Sequence, residues 1–188
     1  MRKISNDLDK RGKLNRRRPA ARTATAERKA PTEPRVSMVE IFFSYAHEDE
    51  QLMHAVRKQL VIFDRQKKIV KWYDRKLVAG ESWKEKIDHH INHAGIVLLF
   101  VSPDFFESDY CYEIELKQAL QQHKAGRTEV IPVIVRPCAW DMAPFAKFQA
   151  LPRGGRPISK WENRDEACLN VAKGVMEVVE AIEKKRIV

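Results

Sequence analysis

IVLLFVSPDFFESDYCYEIELKQAL (residues 96–120) decides how this chain is read. Its first six residues, 96–101, form an unbroken apolar run, the pattern of a strand buried on both faces. A polar loop follows, and then a helix that opens with two carboxylates, Glu113 and Glu115. In open α/β sheets, ligands bind in the crevice beyond the carboxyl ends of the strands. A glutamate carried just past such a strand therefore stands where chemistry can happen, unless it is an ordinary helix-surface residue.

Working outward, VEIFFSY (39–45) and VIPVIV (130–135) repeat the continuous apolar pattern, and Ile69, Val70 and Trp72 mark a shorter strand. Between them lie helical periodicities. Leu52, Val56, Leu60 and Phe63 form one apolar stripe. Trp83, Ile87, Ile91 and Ala94 form a second, opened by a Ser82–Glu85 capping box. The helix after the 96–101 strand is expected over about 108–124. Residues 136–157 read as irregular, with an amphipathic piece at 143–150 and a short fifth strand at 157–159. A last helix spans about 164–184, with Leu169, Ala172, Val175, Met176, Val179 and Ile182 on one face. Strands of this kind alternating with helices imply an α/β fold, a parallel sheet sandwiched by helices.

The 188 residues suffice for one domain with a real core. The net charge of +9 is unevenly placed: residues 1–38 hold twelve Lys/Arg against four Asp/Glu, which is +8 and leaves +1 for the rest. Residues 38–188 are read as the folded domain and residues 1–37 as a disordered basic extension, too poor in large apolar side chains to offset ordering entropy. Its Arg16-Arg17-Arg18 run suits weak contact with an anionic surface; the plainer reading is a solvated tail. The nearly neutral domain carries no specific nucleic-acid-binding face. Three widely spaced cysteines, Cys111, Cys138 and Cys168, without a CxxC pair, fit reduced thiols in a cytoplasmic protein. No apolar run spans a membrane, and the basic N-terminus lacks the apolar core of a signal peptide. GxGxxG and GxxxxGK[ST] loops are both absent.

Three loops follow the first three strands and gather on one edge of a doubly wound sheet. They offer the carboxylates Asp74, Asp104, Asp109 and Glu115, the aromatics Tyr45, Trp83, Phe105 and Tyr110, and the hydroxyls of Ser44 and Ser102. This chemistry suits a ligand with a flat ring and a polyol. Here the residues carry a family resemblance. IFFSYAHEDE (41–50), WYDRKLVAGESW (72–83) and SPDFFESDYCYEIELKQAL (102–120) resemble, in order and spacing, the three boxes of a TIR (Toll/interleukin-1 receptor) domain of bacterial type. The resemblance covers about residues 38–184. It implies a flavodoxin-like, doubly wound, five-stranded parallel sheet flanked by helices.

The resemblance also implies function. Many TIR domains cleave NAD+ at the nicotinamide–ribose bond, giving ADP-ribose or a cyclic isomer; others only assemble signalling complexes. The family's catalytic glutamate maps onto Glu115, with Glu113 the lesser competitor. Cys111 stands four residues before Glu115, where plant members commonly have three, as a one-residue insertion produces. The implied substrate-binding set is Ser44, Tyr45, Ala46, Asp74, Leu77, Gly80, Trp83, Tyr110 and Cys111, with Trp83 stacking on nicotinamide. No metal or cofactor is implied, NAD+ being the substrate. The implied partners are other TIR domains or a second copy, through the BB loop (74–82), in bacterial defence. The alternative is a non-enzymatic TIR–TIR signalling module, or an effector that interferes with host TIR signalling. Ala46 and His47 stand where some members have arginines.

One carboxylate fits this chemistry. Most glycosidases need a second carboxyl group to protonate the leaving oxygen. Nicotinamide leaves from a cationic nitrogen and departs neutral, so no general acid is required. An ionised glutamate is then enough to stabilise an oxocarbenium-like ribose. Each candidate also has a plainer role: Glu115 as a solvated helix residue, Trp83 as a staple between helix and sheet, Asp74 as a turn former. Cys111 reads as a packed thiol. His89 and His93 have the i, i+4 spacing of metal ligands, but without an HExxH pattern they read as a solvated helix face.

Overall fold

The structure is a computed structural model that describes residues 38–72 and 83–187. The basic extension, the Ser82 cap and Asp74, Leu77 and Gly80 lie outside the described residues, as do the side chains of Trp83, Lys84 and Ile187.

Four strands form one parallel sheet: β1 (Val39–Tyr45), β2 (Ile69–Trp72), β3 (Ile96–Val101) and β4 (Glu129–Ile134). Their order is β2-β1-β3-β4. The sequence order reverses between β1 and β3, the place where such sheets bind ligands. Register aligns Tyr45 with Phe100, and Val101 with Ile134, so the carboxyl ends of the three strands finish together. All six residues of β3 are buried, as its unbroken apolar run requires.

Successive strand residues point to opposite faces, and the core divides accordingly. On one face Ile41, Phe43, Leu98, Phe100 and Val133 pack under α1 (Glu50–Gln59) and α6 (Arg164–Ile187), which contributes Val171, Val175 and Val179. On the other, Phe42, Trp72, Val97, Leu99 and Ile134 meet Ile87 and Ile91 of α3 (Trp83–His93) and Ala119 of α5 (Lys117–Lys124). Two short helices, α2 (Val61–Arg65) and α4 (Pro103–Glu107), complete the set. Gly95, just before β3, leaves room for Val39: a Cβ there would stand 2.9 Å from Val39 Cγ1.

One sequence expectation is corrected and one refined. The strand expected at 157–159 is a 3-10 turn, Ile158–Lys160. The outer side of β4 is covered by Leu151, which bridges to Val133, donates its N–H to Pro132 O (2.8 Å) and accepts from Ile134 N–H (2.7 Å). Pro132 is tolerated because β4 pairs with a full strand on one side only. The helix expected over 108–124 is present, but its first part is a π-helical segment (Tyr110–Leu116) that runs directly into α5, while α4 is a separate short helix before it. The amphipathic 143–150 piece lies in irregular chain, as expected, and its turns bury Phe145 completely. All three cysteines are free thiols, and burial pushes that of Cys168 up to about 11.

Phe100→Ala is expected to lower stability by about 3–5 kcal/mol in chemical denaturation, because Phe100 is fully buried at the centre of the sheet. Val70→Ala, at a partly exposed position of the edge strand β2, should stay within about 0.5 kcal/mol.

Candidate functional site

A cavity of about 370 Å³ opens at the carboxyl ends of β1 and β3. Its wall is built by Phe43, Tyr45 and Ala46 from β1 and its end, His47 and Glu48 from the following turn, Asp104, Glu107 and Ser108 from α4 and its end, and Tyr110, Cys111 and Glu115 from the π segment. The volume is at the lower end for ligand sites.

The segment that carries Glu115 is π-helical from Tyr110 to Leu116. A π turn, with i→i+5 bonds, accommodates one more residue than an α turn and is frequent at functional sites. Leu116 and Ala119 stay in the core, and Glu115 turns into the cavity, only 5% exposed. Ser108 holds the start: its Oγ accepts from Cys111 N–H (3.2 Å) and its carbonyl from Tyr112 N–H (2.9 Å).

A buried carboxylate must be hydrogen-bonded. Ser44 Oγ donates to Glu115 Oε2 at 2.5 Å. Ser44 lies on β1, fully buried, on the sheet face that α5 covers. It stands behind Glu115, outside the cavity wall. Glu113 points elsewhere: it is exposed and ion-paired with Lys117 one turn on. Cys111 Sγ donates to Tyr45 O at 3.4 Å, tying the π segment to the end of β1. Burial first, then the negative potential of Glu115, Asp88 and Cys111, pushes the Tyr110 phenol well above its ordinary pKa, so it stays protonated.

Of the expected site residues, Tyr45, Ala46, Tyr110, Cys111 and Glu115 come together on the wall, and Ser44 supports them. Trp83 begins α3. Ser102 and Phe105, offered by the loop after β3, are fully buried, and Asp109 is exposed and off the wall. Among the described residues no group of three or more His, Cys, Asp or Glu is placed to hold a metal.

A second cluster, missed in the sequence, fastens the loops beneath the cavity. Asp49 is 1% exposed. Arg136, two residues beyond β4, donates from Nε to Asp49 Oδ1 (2.7 Å) and from Nη2 to Ser102 Oγ (3.2 Å) and to Asp104. Ser102 also donates to Asp49 and caps α4 by accepting from Phe105 N–H (3.1 Å). One hydroxyl thus uses its single donor and both acceptor lone pairs. The hydrogen bond to Asp49 outweighs the cost of burial and, with Asp104, raises the Arg136 pKa above its ordinary value. The ends of β1, β3 and β4 are held by this one guanidinium. Its partners are 87 and 32 positions away, so no local pattern announces them.

With this geometry in view, the similarities are informative. A family model for the TIR domain matches residues 41–167. An uncharacterised protein, y4lF, of Sinorhizobium fredii is 50% identical over 140 residues, 74% of this chain. The chain covers 43% of that relative's length. Among solved structures, the TIR domain of the Toll-related receptor TRR-2 of Hydra magnipapillata is similar with a TM-score of 0.50 and 21% identity, over 73% of this chain and 96% of that one. The TIR domains of the activated Roq1 resistosome are 19% identical, over 78% of this chain and 82% of that one, with a TM-score of 0.45.

Arg136→Met should lower stability by about 2–4 kcal/mol, since it strands the sealed Asp49 carboxylate; part of the guanidinium meets solvent, which moderates the loss. Adding Asp49→Leu should recover part of that loss in a double-mutant cycle of denaturation midpoints.

Proposed function

The chain belongs to the TIR domain family, and on that premise we propose that it is an NAD+ glycohydrolase with Glu115 as its catalytic carboxylate. The observation that carries this reading is a glutamate 5% exposed, held by a buried serine hydroxyl and aimed into a cavity at the carboxyl ends of the strands. A helix-surface glutamate would be solvated, as Glu113 is.

The proposed chemistry follows from that placement. The nicotinamide ribose enters the cavity with C1′ towards Glu115. Ser44 donates to Oε2 and so helps to fix the carboxylate plane beside the ribose. As the C1′–N1 bond lengthens, its electron pair returns to the pyridinium nitrogen and positive charge grows on the ribose. A fixed carboxylate in a site shielded from water stabilises that charge without reorganising. Tyr45, Ala46, Tyr110 and Cys111 form the wall that limits water. Capture of C1′ by water gives ADP-ribose, and capture by an adenine nitrogen gives a cyclic isomer. Asp74, Leu77, Gly80 and Trp83 complete the proposed substrate set from the second box. Self-association through the same loop, 74–82, is proposed to promote activity in bacterial defence.

Purified protein incubated with NAD+ should release nicotinamide, with specific activity rising as protein concentration rises. Glu115→Ala should reduce the rate by roughly 10²–10³-fold, Ser44→Ala by a smaller factor, and Glu113→Ala hardly at all. Nicotinamide release that survives Glu115→Ala unchanged would refute the assignment. Silence at every concentration would instead favour a TIR–TIR interaction module.

A further inference from the structure

The cavity wall contains four carboxylates, Glu48, Asp104, Glu107 and Glu115, with His47 and no Lys or Arg among the described residues. Arg136 is shared between Asp104 and the buried Asp49. Glu48 and Glu107 are exposed and form no ion pair among the described residues. The described part of the wall therefore carries one sign of charge, and a cleft wall of one sign focuses its field on what enters. A volume of about 370 Å³, at the lower end for ligand sites, suits a nucleoside.

From these two facts we infer that the site selects a cationic pyridinium nucleoside, leaving phosphate outside, with Glu48 and Glu107 as the specificity-determining pair. This rests on the reading of the cavity as the glycohydrolase site and names its substrate class. Pyridinium and carboxylates attract; a diphosphate brought to Glu48 and Glu107 is repelled. Nicotinamide riboside, which carries the cation and no phosphate, is then a substrate in its own right. In its cleavage the C1′–N1 bond breaks with both electrons left on nitrogen and nicotinamide departs neutral. Water adds at C1′ and gives up one proton to solvent, and the products are ribose and nicotinamide.

The test compares nicotinamide riboside with NAD+ as substrates for the wild type and for the Glu48→Gln/Glu107→Gln double variant. Both changes are at exposed positions, so the fold is expected to persist. The wild type should cleave the riboside at a kcat/KM no lower than that for NAD+. The double variant should lower the riboside value by about tenfold and raise that for NAD+. A wild type that cleaves NAD+ but not the riboside overturns the inference, and so does an unchanged ratio of the two values in the double variant. A binding arm separates this from the proposed activity. Thermal shift of the wild type by nicotinamide riboside should exceed the shift by its uncharged reduced form, dihydronicotinamide riboside, and the difference should shrink in the double variant. That pattern without turnover would uphold the charge selection and refute the glycohydrolase. Equal shifts, or none, would refute the charge selection itself.

Discussion

The site depends on one hydrogen bond, from Ser44 Oγ to Glu115 Oε2, which joins β1 to the π segment 71 residues away. A carboxylate this deeply buried is costly without a partner. Ser44 supplies that partner from the interior of the sheet, where its own hydroxyl would otherwise be stranded, fully buried. Each group satisfies the other. The pairing also holds the Glu115 carboxylate in place on the cavity wall.

Around that contact the fold supplies a frame that resists drift. The switch in strand order between β1 and β3 creates the crevice. Arg136 then locks the loops that border it by reaching Asp49, Ser102 and Asp104 together. The two clusters divide the work. The guanidinium network is saturated and belongs to stability. The Glu115 side keeps a cavity open beside a charge, the arrangement from which function is to be expected.

The strands were legible because burial on both faces demands unbroken apolar runs, and β1, β3 and β4 have them. Glu115 was set before Glu113 by the family resemblance, and the two differ in the fold: Glu115 is buried and Glu113 is exposed. The π winding of Tyr110–Leu116 was not read from the sequence. Ser44 read as a pocket hydroxyl because its partner is distant in the chain. Arg136 and Asp49 were invisible for the same reason: pairing across 87 positions leaves no local trace. The fifth strand at 157–159 was misplaced because Ile158 is buried as a strand residue would be, yet sits in a 3-10 turn, while Leu151 takes the place beside β4.

The most direct measurement is the crystal structure of the wild-type protein with a carbocyclic, uncleavable analogue of NAD+. The account predicts the nicotinamide half in the cavity, a ribose-equivalent hydroxyl about 3 Å from a Glu115 carboxylate oxygen, and Ser44 still bonded to Oε2. An analogue bound elsewhere, or bound with Glu115 turned away from its ribose, would contradict it.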